Sequence, residues 1–163
     1  MAIHHVAYGT RDIDGTIRFY DELMGFPLVH TEIDRAEHDQ GVSQMRHLFF
    51  DTGNGQAIAF FDLDNCGERP DWKTDLSDSV GVPVWVNHCA FAATAEQQAE
   101  VRARMDAAGI APTMEIDHDW CQSLYFLDPN GILVELCRDT PGFTPDPAGA
   151  RARLTASLSG GTA

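Results

Sequence analysis

Leu124-Tyr125-Phe126-Leu127-Asp128-Pro129-Asn130-Gly131-Ile132-Leu133-Val134-Glu135-Leu136 is the stretch whose reading decides the fold. Two apolar, aromatic-rich runs flank Asp-Pro-Asn-Gly. Pro129 presets φ and Asn130-Gly131 tolerates positive φ, so the stretch reads as a β-hairpin. Alternation puts Leu133, Glu135 and Cys137 on one face of the second strand and Val134 and Leu136 on the other. Glu135 is therefore a carboxylate set among apolar residues. On a half-buried strand such a residue ordinarily faces solvent; here the rest of the chain supplies two histidines in matching places.

Upstream of the hairpin, residues 111–116 read as one more strand, beside strands at 121–127 and 132–138. Before them lies a strand at 84–92 holding His88. Thr94-Ala95-Glu96-Gln97 fits a capping box, Val101, Met105 and Ala108 form an apolar stripe, and Gly109 ends the helix. The same order occupies the first half. Residues 3–9 form a strand carrying His5. Asp12 caps a helix over 13–24, with Ile13, Ile17, Tyr20 and Met24 at helical spacing and Gly25 behind them. Strands follow at 26–33, 45–51 and 56–63, separated by a polar loop at 34–41 and a turn at 52–55. The halves align: His5-Val6-Ala7-Tyr8 with His88-Cys89-Ala90-Phe91, Gly25-Phe26 with Gly109-Ile110, Leu48-Phe49-Phe50-Asp51 and Asn54-Gly55 with Leu124 to Asp128 and Asn130-Gly131. The expected class is α+β: two repeated βαβββ modules in one domain, 1–139. Module one is 1–64, a linker 65–82 follows with Trp72 to pin it, and module two is 83–139. Residues 140–163 are an extension with little core and a short helix near 148–154.

Composition bounds the function. The 163 residues hold 44% hydrophobic and 22% charged side chains, as in a globular domain, and carry a net charge of −14 with a single lysine, Lys73. That balance argues against nucleic acid or an anionic membrane as partner. No signal-peptide pattern opens the chain, and no apolar run approaches the roughly 20 residues of a membrane span. Cys66, Cys89, Cys121 and Cys137 form no CxxC pair and read as reduced thiols, so a cytoplasmic location is expected.

His5 and His88 hold equivalent places in the two repeats, and Glu135 lies on the last strand of the second. If the modules pack about a pseudo-twofold axis, two imidazoles and one carboxylate converge. That is the facial set that holds Fe(II) or a similar divalent ion and leaves positions open for substrate.

With these residues in view, the chain resembles the vicinal oxygen chelate superfamily, which includes glyoxalases, fosfomycin-resistance proteins, epimerases, bleomycin-binding proteins and type I extradiol dioxygenases. The resemblance is carried by His5-Val6-Ala7 with Asp12, Phe19-Tyr20 and Gly25-Phe26, by His88-Cys89-Ala90-Phe91, and by Tyr125 through Leu136. It implies a half-open mixed β-barrel around a metal held by His5, His88 and Glu135. Within the superfamily the ligand pattern is most similar to the extradiol dioxygenases, whose active-site tyrosine precedes the Glu ligand as Tyr125 precedes Glu135. His118 lies near a second family histidine. The family's acid–base histidine would fall near Gln56 or Ala57, where this chain has none, and His47 on the neighbouring strand is the candidate substitute. Ile58-Ala59-Phe60-Phe61 offers no carboxylate or amide where glyoxalase I and the epimerases place a further ligand.

The expected function is thus a divalent-metal enzyme, of extradiol type, acting on a catechol-like substrate with O₂. Its ion would be Fe(II), with Mn, Ni or Zn as alternatives. Tyr125, His118 and His47 are the catalytic candidates, and Phe49, Phe60, Phe91 and Trp120 the candidate substrate walls. Two other classes stand beside it: a redox-neutral lyase or isomerase, and a non-catalytic small-molecule binding or resistance protein. A homodimer is expected, because a half-open barrel leaves edges and apolar surface to cover.

Overall fold

The computed structural model describes residues 2–154. In chain order the elements are β1 (His5–Thr10), α1 (Ile13–Ile17), a π-helical turn (Arg18–Met24), β2 (Leu28–His38), β3 (Gly41–Gly53), β4 (Gln56–Asp64), α2 (Leu76–Val80), β5 (His88–Ala92), α3 (Ala95–Ala107), β6 (Met114–Asp117), β7 (Cys121–Leu127), β8 (Leu133–Asp139) and α4 (Pro147–Arg153). The strands form two four-stranded sheets of the same order, β1-β4-β3-β2 and β5-β8-β7-β6. In each, the first strand runs parallel to the last and the others pair antiparallel. This is the expected α+β duplication of a βαβββ unit, with an open rather than a closed barrel.

Local chemistry sets the helices. Asp12 accepts from Gly15 N at 2.9 Å and opens α1. Thr94 and Gln97 exchange both bonds of the capping box at α3. The first helix stops at Gly25, whose φ of +76° only glycine adopts freely. Its last seven residues are π-helical rather than α-helical, with Gly25 N–H reaching back to Tyr20 O. The wider turn sends Phe19, Tyr20, Leu23 and Met24 all into the interior.

Both helices sit on the inner side of their own sheets and share one core. Tyr20 packs 4.9 Å from Phe60 and 5.5 Å from Phe50, Phe26 meets Phe91 at 5.0 Å, and Val101 and Met105 complete the cluster with Leu124, Phe126, Val134 and Leu136. Arg104 of α3 donates to the Leu23 and Met24 carbonyls that end the first helix, at 2.7 and 3.2 Å. The hairpin turn joins in. Asp128, 4% exposed, accepts from Asn130 N, Ile132 N, Asn130 Nδ2 and the Tyr20 hydroxyl. Asn130 Nδ2 also donates to Thr16 Oγ1 at 3.1 Å. One buried polar network thus ties the turn of module two to the helix of module one.

Besides the π-helical end of the first helix and a β6 that begins at Met114 rather than at residue 111, three elements differ from expectation. Residues 34–41 are not a loop: β2 runs to His38 and pairs with β3 through Asp34↔Met45 and His38↔Gly41. Nearly all of β2 is exposed, so no apolar alternation marks it in the sequence. The strand expected from residue 84 starts only at His88, because Pro83 opens a turn closed by Val86 N–H on its carbonyl at 3.0 Å. The linker contains α2, capped by Asp75. It is pinned as expected at Trp72, whose ring lies where a Cβ on Gly9 would come within 2.7 Å, with Arg11 stacked 5.4 Å from the ring centre. Asp75 covers Gly131 in the same way, so that turn needs glycine both for its φ of +78° and for space. The end of the chain beyond residue 154 lies outside the described residues; α4 falls near the place expected for a short helix.

Candidate metal centre

Strand alternation assigns the functional side chains to the faces turned away from the shared core. In module two, His88 pairs with Leu133, Tyr125 with Glu135 and Ser123 with Cys137, and all share one face with Cys121. His88 Nε2 lies 3.1 Å from Glu135 Oε2. His88 Nδ1 is 2.9 Å from the Trp85 carbonyl, which accepts its N–H and fixes Nε2 as the nitrogen facing the carboxylate. The lone pair of Nε2 and the carboxylate then face each other across a gap that needs a shared proton or a cation. Ser123 Oγ donates to Glu135 Oε1 at 2.5 Å, orienting the carboxylate from its other side. A histidine tied to a backbone carbonyl and a carboxylate tied to a hydroxyl are the usual support of metal ligands, so the donor set fits a divalent ion.

Around this pair stand the expected catalytic candidates. His118 Nε2 is 3.2 Å from the Tyr125 hydroxyl, and the Tyr125 and His88 rings are 6.2 Å apart. Burial, opposed by the Ser123 hydroxyl and reinforced by Glu135, raises the Tyr125 pKa above its ordinary 10, so the phenol is a proton donor at neutral pH. Trp120 is half exposed at the rim, with His118 on one side and Phe143 on the other.

The remaining residues gather on the outer face of module one. His5 is exposed, with its Nδ1 2.8 Å from His4 Nδ1, its ring 5.4 Å from Phe49 and 6.1 Å from His47. His47 is stacked against Phe61 at 3.7 Å and lies 4.1 Å from Phe49. It is buried, and its Nε2 is shielded from solvent without a hydrogen-bond partner. Phe60 and Phe91 stand on the opposite faces of their strands, inside the core with Tyr20 and Phe26, rather than as walls of this centre. The expected residues therefore form two clusters: His88, Glu135, Tyr125 and His118 on one module, His5, His47 and Phe49 on the other. Neither His5 nor His88 belongs to the one group of three His, Cys or acidic donors lying mutually within 4.8 Å among the described residues, which is His118, Cys121 and Glu135. Ser123, Cys121 and Phe61 were missed by sequence reasoning. Their signal was parity: each shares its alternation with Tyr125, Glu135 or His47.

The His47 pKa is lowered from 6.5, first by burial and next by the nearby His5, against the pull of Glu32. Between the lowered value and 6.5 an unfolded chain binds a proton that the folded one refuses, so stability falls as pH drops through that window. His47→Gln is expected to flatten this segment of the Tm-against-pH curve of the metal-free protein. An unchanged slope would show that His47 does not set it.

Neither outer strand face carries Lys or Arg. Arg35 pairs opposite Gln44, while Arg46 and Arg138 take the helix-side parity of their strands. Among the described residues no helix is long and apolar enough to cross a membrane.

Two βαβββ modules, a shared core and outward-facing histidine and carboxylate donors define a protein of the paired-module chelate class. The chain belongs to the Glyoxalase/Bleomycin resistance protein/Dioxygenase superfamily, whose model matches residues 2–136. A glyoxylase/bleomycin resistance protein/dioxygenase domain from Frankia sp. EAN1pec is 19% identical over 88% of this chain and 95% of its own, at a TM-score of 0.60. The fosfomycin resistance protein FosX from Listeria monocytogenes is 20% identical over 86% and 95%, at 0.55. A lactoylglutathione lyase from Agrobacterium tumefaciens is 21% identical over 84% and 92%, at 0.51. At these identities the likeness is one of fold. No curated protein sequence matches the chain.

Proposed function

We propose that this protein is a divalent-metal enzyme for a small, planar substrate with two vicinal oxygens, acting as an extradiol-type dioxygenase with Fe(II). The observation that carries the substrate class is the lining. A stacked His47–Phe61 pair with Phe49 beside it offers a flat aromatic wall, and neither strand face offers a lysine or arginine for a phosphonate or another strongly anionic substrate.

The centre is built by two copies of the chain. His88 and Glu135 of one protomer and His5 of the other supply the ligands. Support comes from the shared helical core, which turns both half-sites outward, and from the exposed Val29, Ile33, Trp85 and Val86, apolar surface that a second copy would cover.

His5, His88 and Glu135 would hold the divalent ion, which would supply Lewis-acid polarisation of the substrate oxygens and, as Fe(II), activation of O₂. The protein's own residues do the rest. The Tyr125 phenol, protonated at neutral pH, donates to a substrate oxygen, and His118 at 3.2 Å takes or returns a proton at that phenol. Phe49, Phe61 and His47 hold the ring and exclude water. His47, whose Nε2 has no hydrogen-bond partner, is the proposed substitute for the acid–base histidine that the family resemblance puts near Gln56 or Ala57, and accepting a substrate proton there requires its buried Nε2 to be uncovered when substrate binds. Protein loaded with Fe(II) under anaerobic conditions is expected to turn over a catechol on admission of air, with O₂ uptake and a yellow ring-opened product. No turnover across a broad catechol panel by iron-loaded, folded protein would overturn the dioxygenase reading.

The missing histidine beside His5 favours one other reading, a redox-neutral lyase or isomerase. A FosX variant from Listeria monocytogenes has been solved with Mn(II) and 1S,2S-dihydroxypropylphosphonic acid. Oxygen-independent turnover with Mn, Ni or Zn would select that reading.

A further inference from the structure

The outer face of module two carries more donors than the proposed centre uses. Asp119, at a φ of +68°, tightens the turn before β7, and His118 N–H bonds the Cys121 carbonyl at 2.9 Å. This folds a His-x-x-Cys segment onto the side that bears Glu135. The His118, Cys121 and Glu135 donor atoms lie mutually within 4.8 Å. Cys121 is fully buried and Glu135 5% exposed. His88 Nε2, 3.1 Å from the same carboxylate, stands beside this group without belonging to it. The Ser123 bond to Glu135 holds that ligand in orientation.

We infer that a single chain binds a thiophilic divalent cation, Zn²⁺ or Co²⁺, at His118, Cys121 and Glu135, without any residue from a second copy. An imidazole, a thiolate and a carboxylate make a three-donor set that leaves a fourth tetrahedral position to water. A thiolate selects Zn²⁺ and Co²⁺ over Mn²⁺ and other hard ions, whose preference is for oxygen. On binding, a Cys121 sulfur–metal bond replaces its S–H bond, and that proton leaves to solvent. His118 gives up its contact with the Tyr125 hydroxyl. The site shares Glu135 with the centre proposed above. If that reading holds, the two modes exclude one another, and zinc blocks the centre while occupying its carboxylate ligand. Cys137 lies on the same face of β8, its thiol pushed up to about 12 mainly by burial, and serves as the control.

The test is anaerobic titration of the full chain with Co²⁺, with a phosphine as reductant, read by absorption. A thiolate-to-cobalt charge-transfer band saturating at one ion per chain is expected. It should survive His5→Ala and Cys137→Ser and vanish in Cys121→Ser, with Zn²⁺ affinity falling at least tenfold in both Cys121→Ser and His118→Ala. The His118 variant removes a partly exposed side chain and guards against misfolding of the cysteine variant. Absence of the band, or its persistence in Cys121→Ser, overturns the inference. Cobalt bound without the band and lost in His5→Ala would sink this site while leaving the two-copy centre standing. The band together with indifference of all metal uptake to His5→Ala would do the reverse.

Discussion

Glu135→Gln is expected to abolish stoichiometric binding of the catalytic metal and, with it, turnover. The carboxylate is the one anionic ligand of the proposed centre, held by Ser123 on one oxygen and facing His88 with the other. An amide keeps the shape but presents a neutral oxygen. The loss should exceed the roughly 10–100-fold that removal of a ligand's hydrogen-bonding partner costs, which is the effect expected for Ser123→Ala. Folding should not suffer. Glutamine keeps the volume of this 5%-exposed side chain and an oxygen that accepts from Ser123, so the metal-free Tm should stay close to that of the unsubstituted protein. Metal content and Tm measured on the same preparations check both halves. Full metal retention in Glu135→Gln would remove Glu135 from the centre.

Asp128→Ala is expected to be the most destabilising single substitution proposed for this chain, by about 3 kcal/mol, or roughly 6–12 °C in Tm. It strips the acceptor from two backbone N–H groups, the Asn130 side chain and the buried Tyr20 hydroxyl at once. Burial raises the Asp128 pKa above 3.8, ahead of the hydrogen bonds that lower it, so ionising this group in the folded state works against stability as pH rises through the raised value. Asp128→Asn, neutral and of the same shape, should therefore lose less than Asp128→Ala at neutral pH, since the Tyr20 hydroxyl can turn and accept from the amide. Chemical denaturation of both variants checks the order. A loss under about 0.5 kcal/mol in Asp128→Ala would mean that this network does not join the modules.

How much of this was legible beforehand follows the physics of each element. The hairpin at Asp128-Pro129-Asn130-Gly131, the Thr94 capping box and the stop at Gly25 are written in local chemistry, and they stand in the structure as read. The exposed length of β2 was not legible, because a strand solvated on both faces leaves no hydrophobic period. Nor was the π-helical form of Arg18–Met24, whose cause is tertiary: four large side chains of one helix must all reach the same core. For the site, alternation alone put Glu135 opposite Val134 and Leu136. Assigning Phe60 to a pocket wall failed because it needs the register with β3, which sets Phe60 against Leu48 on the helix side and Phe61 against His47 on the outer side. The role of Asp128 was hidden for a similar reason, since its partner Tyr20 lies 108 residues away.

The central claim is that each metal centre draws His5 from one protomer and His88 with Glu135 from the other. It is tested most directly by pairing two disabled chains, His5→Ala and Glu135→Gln, with different affinity tags and isolating the heterodimer. Each parent homodimer lacks a ligand at both sites and should hold no stoichiometric catalytic metal. In the heterodimer one site loses both ligands and the other recovers all three. The prediction is one metal ion per heterodimer and return of turnover at half the per-chain activity of the unsubstituted protein. Heterodimers that form yet bind no more metal than either parent would contradict the account and place all three ligands within one chain.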